Sequence, residues 1–199
     1  MTTEKKRVAV LISGRGSNMK ALIEAARSPD YPAEIVGVLS NRAAAPGLQL
    51  AEQEGIATAS VAQSRFPSRD MLEDTMTQIL ESWETDYVCL AGFMRILGED
   101  FVERWAGRLI NIHPSLLPAY KGLDTHDRAI ADGAKEHGCS VHFVTPGLDE
   151  GPVIAKARVP VLPDDTPDIL AARVLEQEHL IYPLALRDLI EGKVALPER

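Results

Sequence analysis

Two rhythms run along the chain: short continuous apolar runs, and longer stretches whose apolar residues recur every three or four positions. Residues 8–12 are apolar and bounded by polar residues, the pattern of a strand buried on both faces. Similar runs predict strands over 34–40, 56–61, 87–91, 108–112, 140–144 and 153–159. Helical spacing follows the first run, with Met19, Leu22, Ile23 and Ala26 on one face. Further helices are expected over 47–54, stopped by Gly55, and from a Ser68 cap through Met71, Leu72, Met76, Ile79 and Leu80 to Trp83. Shorter ones are read over 99–105 and 127–134. A last long helix over 167–182 carries Ile169, Leu170, Val174, Leu175 and Leu180, is interrupted by Pro183 and resumes over 184–190 before a polar tail. Strands alternating with helices predict an α/β fold with a mostly parallel sheet.

In such sheets ligands bind beyond the carboxyl ends of the strands. Four stretches with chemistry fall at strand ends: 13–18, 92–97, 111–113 and 145–149. The centre is Ile110-Asn111-Ile112-His113-Pro114-Ser115-Leu116-Leu117-Pro118. Residues two apart in a strand point the same way, so Asn111 and His113 are expected to reach into one space, with Ile110 and Ile112 opposite. An amide donor and a titratable ring at one point equip acyl transfer, although a turn-forming Asn and a structural His read the same way.

Ser13-Gly14-Arg15-Gly16-Ser17-Asn18 is a glycine-rich strand-to-helix turn. It lacks the third glycine of a dinucleotide fingerprint, because Met19 stands there, and it lacks the Gly-Lys-Ser/Thr of a Walker loop. What remains is a single-phosphate site with Gly16, Ser17 and Asn18 as donors, or a tight turn with a Ser/Asn cap. Arg69 falls in a first helical turn, where the dipole disfavours a cation; it contacts a ligand or is simply solvated. The loop Gly92-Phe93-Met94-Arg95-Ile96-Leu97 is unusually apolar and either plugs the core or lines a pocket for a flat ligand. His142 alternates with Val141 and Phe143, which leaves structural and functional roles equally open. Cys89 reads as core packing.

Length and composition narrow the classes. The 199 residues, 45% hydrophobic and 25% charged, suit one soluble domain with a substantial core. A net charge of −8 speaks against a general nucleic-acid binder, but not against a small anion held by backbone N–H groups. No apolar run approaches a membrane span, and the start of the chain has no signal-peptide pattern. Two cysteines without metal-type spacing, Cys89 and Cys139, suggest a reducing cytoplasm.

The stretches Ile12-Ser13-Gly14-x-Gly16-Ser17-Asn18, Ala91 to Leu97, Asn111 to Pro118 and Ser140 to Val144 resemble the glycinamide ribonucleotide branch of the formyltetrahydrofolate-dependent formyltransferase family. The resemblance runs from Val8 to about Gly192. It implies the family's Rossmann-like twisted sheet with helices on both faces, in a single formyltransferase domain over 1–199. It implies transfer of a formyl group from 10-formyltetrahydrofolate, a co-substrate, to the amine of 5-phosphoribosylglycinamide in purine biosynthesis, with no metal. Partners would be these small molecules, with no nucleic acid and no membrane, in a monomer or homodimer in the cytoplasm.

Residue by residue, the resemblance implies that Asn111 and His113 address the formyl group, and that Asp149 pairs with His113 and raises its pKa. Gly16, Ser17 and Asn18 would hold the substrate phosphate and Glu178 the ribonucleotide. Arg69, Met94, Arg95, Ile96 and Leu97, with Asn111, would contact the folate. Methionyl-tRNA formyltransferase would need a further tRNA-binding domain, and formyltetrahydrofolate deformylase typically has His where Pro114 stands. Hydrolysis of 10-formyltetrahydrofolate, or a non-catalytic nucleotide-binding module on the same fold, are the alternatives. One loop departs from the pattern: Gly-Leu-His-Thr-His-Arg becomes Gly122-Leu123-Asp124-Thr125-His126-Asp127, which trades cations for anions on the phosphate side.

Overall fold

A computed structural model describes residues 4–196. Residues 1–3, within the expected polar start, and 197–199, within the expected polar tail, lie outside the described residues. Seven strands form one sheet: β1 Lys6–Ile12, β2 Ala33–Ser40, β3 Ala57–Ser60, β4 Tyr87–Leu90, β5 Leu109–His113, β6 Glu136–Phe143 and β7 Val153–Pro160. Their order is β3-β2-β1-β4-β5-β6-β7. The first five are mutually parallel, whereas β6 runs antiparallel to β5 and β7 antiparallel to β6. The helices are α1 Ser17–Ala26, α2 Pro46–Gln53, α3 Arg69–Ser82, α4 Glu99–Arg104, α5 Thr125–Ala131 and α6 Pro167–Ile190. The α/β fold with a mostly parallel sheet is as expected.

Alternation along β1 divides the core in two. Val8, Val10 and Ile12 pack with α1, α2 and α6 residues such as Leu22, Leu48 and Tyr182 on one face. Ala9 and Leu11 pack with Leu72, Met76, Leu80 and Phe101 of α3 and α4 on the other. A central strand covered on both faces has no polar side, which explains the unbroken apolar run.

Three differences from the sequence reading have a plain physical cause. Helix α6 runs through Pro183 without interruption. Tyr182 and Pro183 are buried with Ala185, Leu186 and Leu189 on its inner face, and Tyr31 Oη donates to the Pro183 carbonyl at 2.7 Å. One missing N–H does not outweigh that burial. Helix α5 begins two residues earlier than expected because Thr125 is buried and its hydroxyl donates to the Pro114 carbonyl at 2.7 Å. Strand β6 begins four residues earlier, since Glu136 to Cys139 pair with Pro160 to Ala157 of β7. Met71, Ile169 and Leu180, expected on apolar faces, are at least half exposed.

Gly138 shows how tightly the antiparallel end is built. A Cβ there would lie 1.9 Å from the Ala157 carbonyl oxygen and 2.9 Å from Leu116 Cδ2, in the turn beyond His113. Gly138→Ala is expected to destabilise the fold by about 2–3 kcal/mol, as overpacking against backbone does. Urea denaturation measures it, and an unchanged midpoint would show that the strands separate at little cost.

Candidate active site

Three of the four candidate stretches follow parallel strands, β1, β4 and β5, and share the carboxyl edge of the sheet. The fourth does not, which corrects the expectation. Strand β6 runs the other way, with Phe143 opposite Ile110 and Ser140 opposite His113. The segment between β6 and β7 therefore has to fold back toward the end of β5, and it delivers Asp149 there. Asp149 adopts a left-handed conformation (φ 52°), which aspartate tolerates better than most residues.

Asp149 faces two rings. Its Oδ2 lies 3.4 Å from His113 Nδ1 and accepts from the Gly122 N–H at 2.9 Å. Its Oδ1 lies 3.6 Å from His142 Nε2. All three side chains are less than a tenth exposed. Burial alone would raise the Asp149 pKa, but the His142 ring, the Gly122 N–H and the His113 charge outweigh it, and the net direction is down.

The hydrogen bonds assign the tautomers. His142 Nδ1 lies 2.8 Å from the Phe143 carbonyl, which can only accept, so Nδ1 carries the proton. His142 Nε2 is then free to accept from Asn111 Nδ2 at 3.2 Å. That contact turns the amide nitrogen of Asn111 toward His142 and leaves its second N–H free. His113 Nε2 lies 2.9 Å from the Tyr120 carbonyl and donates to it. Asp149 raises the His113 pKa as expected, and so does the Tyr120 carbonyl, but burial lowers it by more and the net direction is down. The ring is thus neutral at neutral pH.

A narrow cavity of about 110 Å³ opens against these groups. Leu90, Phe93, Ile96, Leu97 and Val102 form its apolar wall, while Asn111, His142 and Asp149 form its polar edge. Arg95 also lines it, as does the 144–148 segment. Of the predicted folate contacts, Arg95, Ile96, Leu97 and Asn111 are brought together here. Met94 is 63% exposed and does not line the cavity. Arg69 lies near Asp70 and the buried Glu73, at 4.0 and 3.9 Å, and is likewise absent from the wall. The 92–97 loop does both things expected of it: Phe93 and Leu97 enter the core and Ile96 stays exposed.

His113 itself does not line this cavity but lies 3.4 Å from Asp149, which does. Ser140, paired with His113, is fully buried and fixes the turn beyond it by donating to Ser115 O (2.7 Å) and accepting from Leu117 N–H (3.0 Å). His142 was legible only as an open choice, because its partners lie 31 and 7 residues away in sequence, at Asn111 and Asp149.

On the other side, Gly16 (φ 74°) is the N-cap of α1 and offers that helix no side chain. The first-turn N–H groups, from Ser17 onward, therefore face outward with the positive end of the dipole. Asn18 is buried and its Nδ2 donates to Glu178 Oε2 at 2.6 Å, which ties α1 to α6. Burial raises the Glu178 pKa, and the Asn18 contact opposes it. A larger groove of about 830 Å³ runs between α1 and α6, but of the predicted site residues it contains Ser17 alone. Asp124 and Asp127 are exposed at the start of α5 and do not line the narrow cavity. Cys89 is core, and burial pushes its thiol up to about 12. Among the described residues no group of three or more His, Cys, Asp or Glu could hold a metal ion, and no helix is long and apolar enough to cross a membrane.

A mostly parallel sheet with an amide, two imidazoles and a carboxylate at one strand end defines an acyl-transfer class, and the chain belongs to the formyl transferase family, whose profile matches residues 6–186. Within that family it is similar to the phosphoribosylglycinamide formyltransferase of Escherichia coli (strain K12). The two are 48% identical over 191 residues, covering 96% of this chain and 90% of that protein. The crystal structure of phosphoribosylglycinamide formyltransferase from Brucella melitensis superposes with a TM-score of 0.91 at 50% identity, covering 98% of this chain and all of that one. The trifunctional purine biosynthetic protein adenosine-3 of Drosophila melanogaster is 47% identical over 194 residues, 96% of this chain, which spans only 14% of that protein.

Proposed function

We propose that the chain transfers the formyl group of 10-formyltetrahydrofolate to the amine of 5-phosphoribosylglycinamide, acting as one catalytic domain. The observation that carries this reading is the Asn111–His142–Asp149–His113 cluster at one end of an apolar slot, on the same sheet edge as the uncapped start of α1. The slot suits a flat folate ring, with Leu90, Phe93, Ile96, Leu97 and Val102 against its faces and Arg95 beside it. Gly16, Ser17 and Asn18 offer their turn to the ribose phosphate, with the acidic Glu178 behind Asn18 toward the ribonucleotide. Arg69 and Met94, outside the slot wall, are assigned to more distant parts of the folate.

The chemistry follows from the donors available. The substrate amine bonds to the formyl carbon and the carbonyl oxygen takes the electron pair. The free N–H of Asn111 stabilises that oxygen. His113 Nε2–H, held by the Tyr120 carbonyl without ligand, supplies the second donor once that carbonyl gives way to the substrate, and the nearby Asp149 carboxylate favours imidazolium as negative charge builds. When the intermediate collapses, the bond from carbon to folate N10 breaks. The amine's proton passes by way of Asp149 and water to N10, so charge and protons balance.

Following the formyl group of 10-formyltetrahydrofolate with and without 5-phosphoribosylglycinamide tests the reading. Loss only with the acceptor is the expected result. Loss without it would make the chain a hydrolase, and none in either case would leave it a binding module.

A further inference from the structure

Ser13 is assigned above to neither substrate. It follows β1, is 4% exposed, and its hydroxyl joins the ends of two other strands. Oγ donates to Asn41 Oδ1 beyond β2 at 2.6 Å and accepts from the Met94 N–H beyond β4 at 2.7 Å. The directions are determined: a backbone N–H can only donate, so a lone pair of Oγ faces Met94 and its one proton goes to Asn41. The Ser13 N–H in turn donates to the Gly92 carbonyl at 3.2 Å.

These bonds lie between the two substrate sites. On one side, Gly14 accepts from Gly47 N–H at 3.0 Å and Gly16 opens α1, so the turn continuing from Ser13 is the one offered to phosphate. On the other, Met94 leads directly into Arg95, Ile96 and Leu97 of the slot wall. Met94 and Ile96 are both more than half exposed, so little apolar burial holds the middle of this loop. Its backbone is held instead at two N–H groups: Met94 by Ser13, and Gly98 by the buried carboxylate of Glu73 at 2.9 and 3.1 Å.

We propose that Ser13 is a positioning residue: its hydroxyl holds the slot loop in register with the phosphate turn, so that two separately bound substrates meet in line. The proposal rests on the assignment of the two sites given under Proposed function. Transfer between bound partners tolerates little misplacement, and Ser13→Ala leaves the Met94 N–H and Asn41 Oδ1 without this partner.

Ser13→Ala removes one oxygen and adds no volume, and two readouts decide the matter. Amide exchange followed by NMR on the unliganded protein is expected to speed up about tenfold or more at Met94, with Val10 and Cys89 in the central strands unchanged. In steady-state kinetics kcat/KM for 10-formyltetrahydrofolate is expected to fall about tenfold while KM for the ribonucleotide stays within about twofold. Asn41→Ala, which keeps the Ser13–Met94 bond, should leave Met94 protected. Unchanged exchange at Met94, or equal acceleration at Val10 and Cys89, would overturn the proposal, as would a KM for the ribonucleotide raised as far as that for 10-formyltetrahydrofolate. If the unaltered protein does not use the ribonucleotide, the functional reading fails by itself. Exchange at Met94 and titration with tetrahydrofolate then still decide the role of Ser13 in the slot.

Discussion

Replacing Asn111 by alanine lowers kcat by about 10²- to 10³-fold, the loss typical of one preorganised oxyanion donor. The amide has two N–H groups. One is committed to His142 Nε2 at 3.2 Å, and His142 is locked by its own bond to the Phe143 carbonyl. The other is free at the edge of the slot, without a competing partner among the described residues. Alanine removes it and leaves the β5 backbone pairing with β4 and β6 intact. The loss falls on kcat more than on KM for the folate, because the hydrogen bond strengthens as charge develops on the oxygen. Asn111→Asp does at least as badly, since it offers no N–H and sets a second carboxylate near Asp149. Steady-state kinetics together with a thermal melt measure both parts. A kcat within about threefold of the unaltered protein would remove Asn111 from the chemistry.

The second large effect is at Asp149. Asp149→Asn is expected to lower kcat by about 10²- to 10⁴-fold, the range for loss of a positioned proton-transfer group. The backbone is preserved, because asparagine also tolerates φ 52° and its carbonyl oxygen can still accept from Gly122. What disappears is the negative charge between two imidazoles. The sign of the pH effect follows from the causes. Burial sets His113 below its ordinary value, and Asp149 pulls it back upward; without that charge it drops further. In an NMR titration the His113 midpoint therefore lies below 6.5 in the unaltered protein and lower still in the variant. The acid limb of kcat/KM tracks ionisation of Asp149, whose pKa is held below 3.8, and that limb is lost in Asp149→Asn. A His113 midpoint that rises in the variant would reverse the assigned sign.

Both experiments probe groups that differed greatly in how far the sequence disclosed them. Asn111 and His113 are separated by one residue in a strand, and alternation alone says they share a side. Their division of labour was not legible. Asn111 and Asp149 line the slot while His113 does not, and His113 meets its edge through Asp149, 3.4 Å away. Composition likewise suggested a pocket at 92–97 but not which residues would wall it. That depends on Phe93 and Leu97 entering the core, which turns Arg95 and Ile96 toward the opening.

Local rules were legible along the chain: apolar runs for strands buried on both faces, the glycine-opened start of α1, and the Ser68 cap, whose side chain accepts from Met71 N–H. The sequence also determined the family, through motifs whose side chains lie within a few residues of one another. Long-range contacts set the antiparallel course of β6 and β7, the return of Asp149 to the end of β5, the unbroken passage of α6 through Pro183 and the downward pKa of His113. Each of these depends on partners distant along the chain. Burial and electrostatic balance depend on what surrounds a residue in space, and those surroundings exist only once the strands have paired.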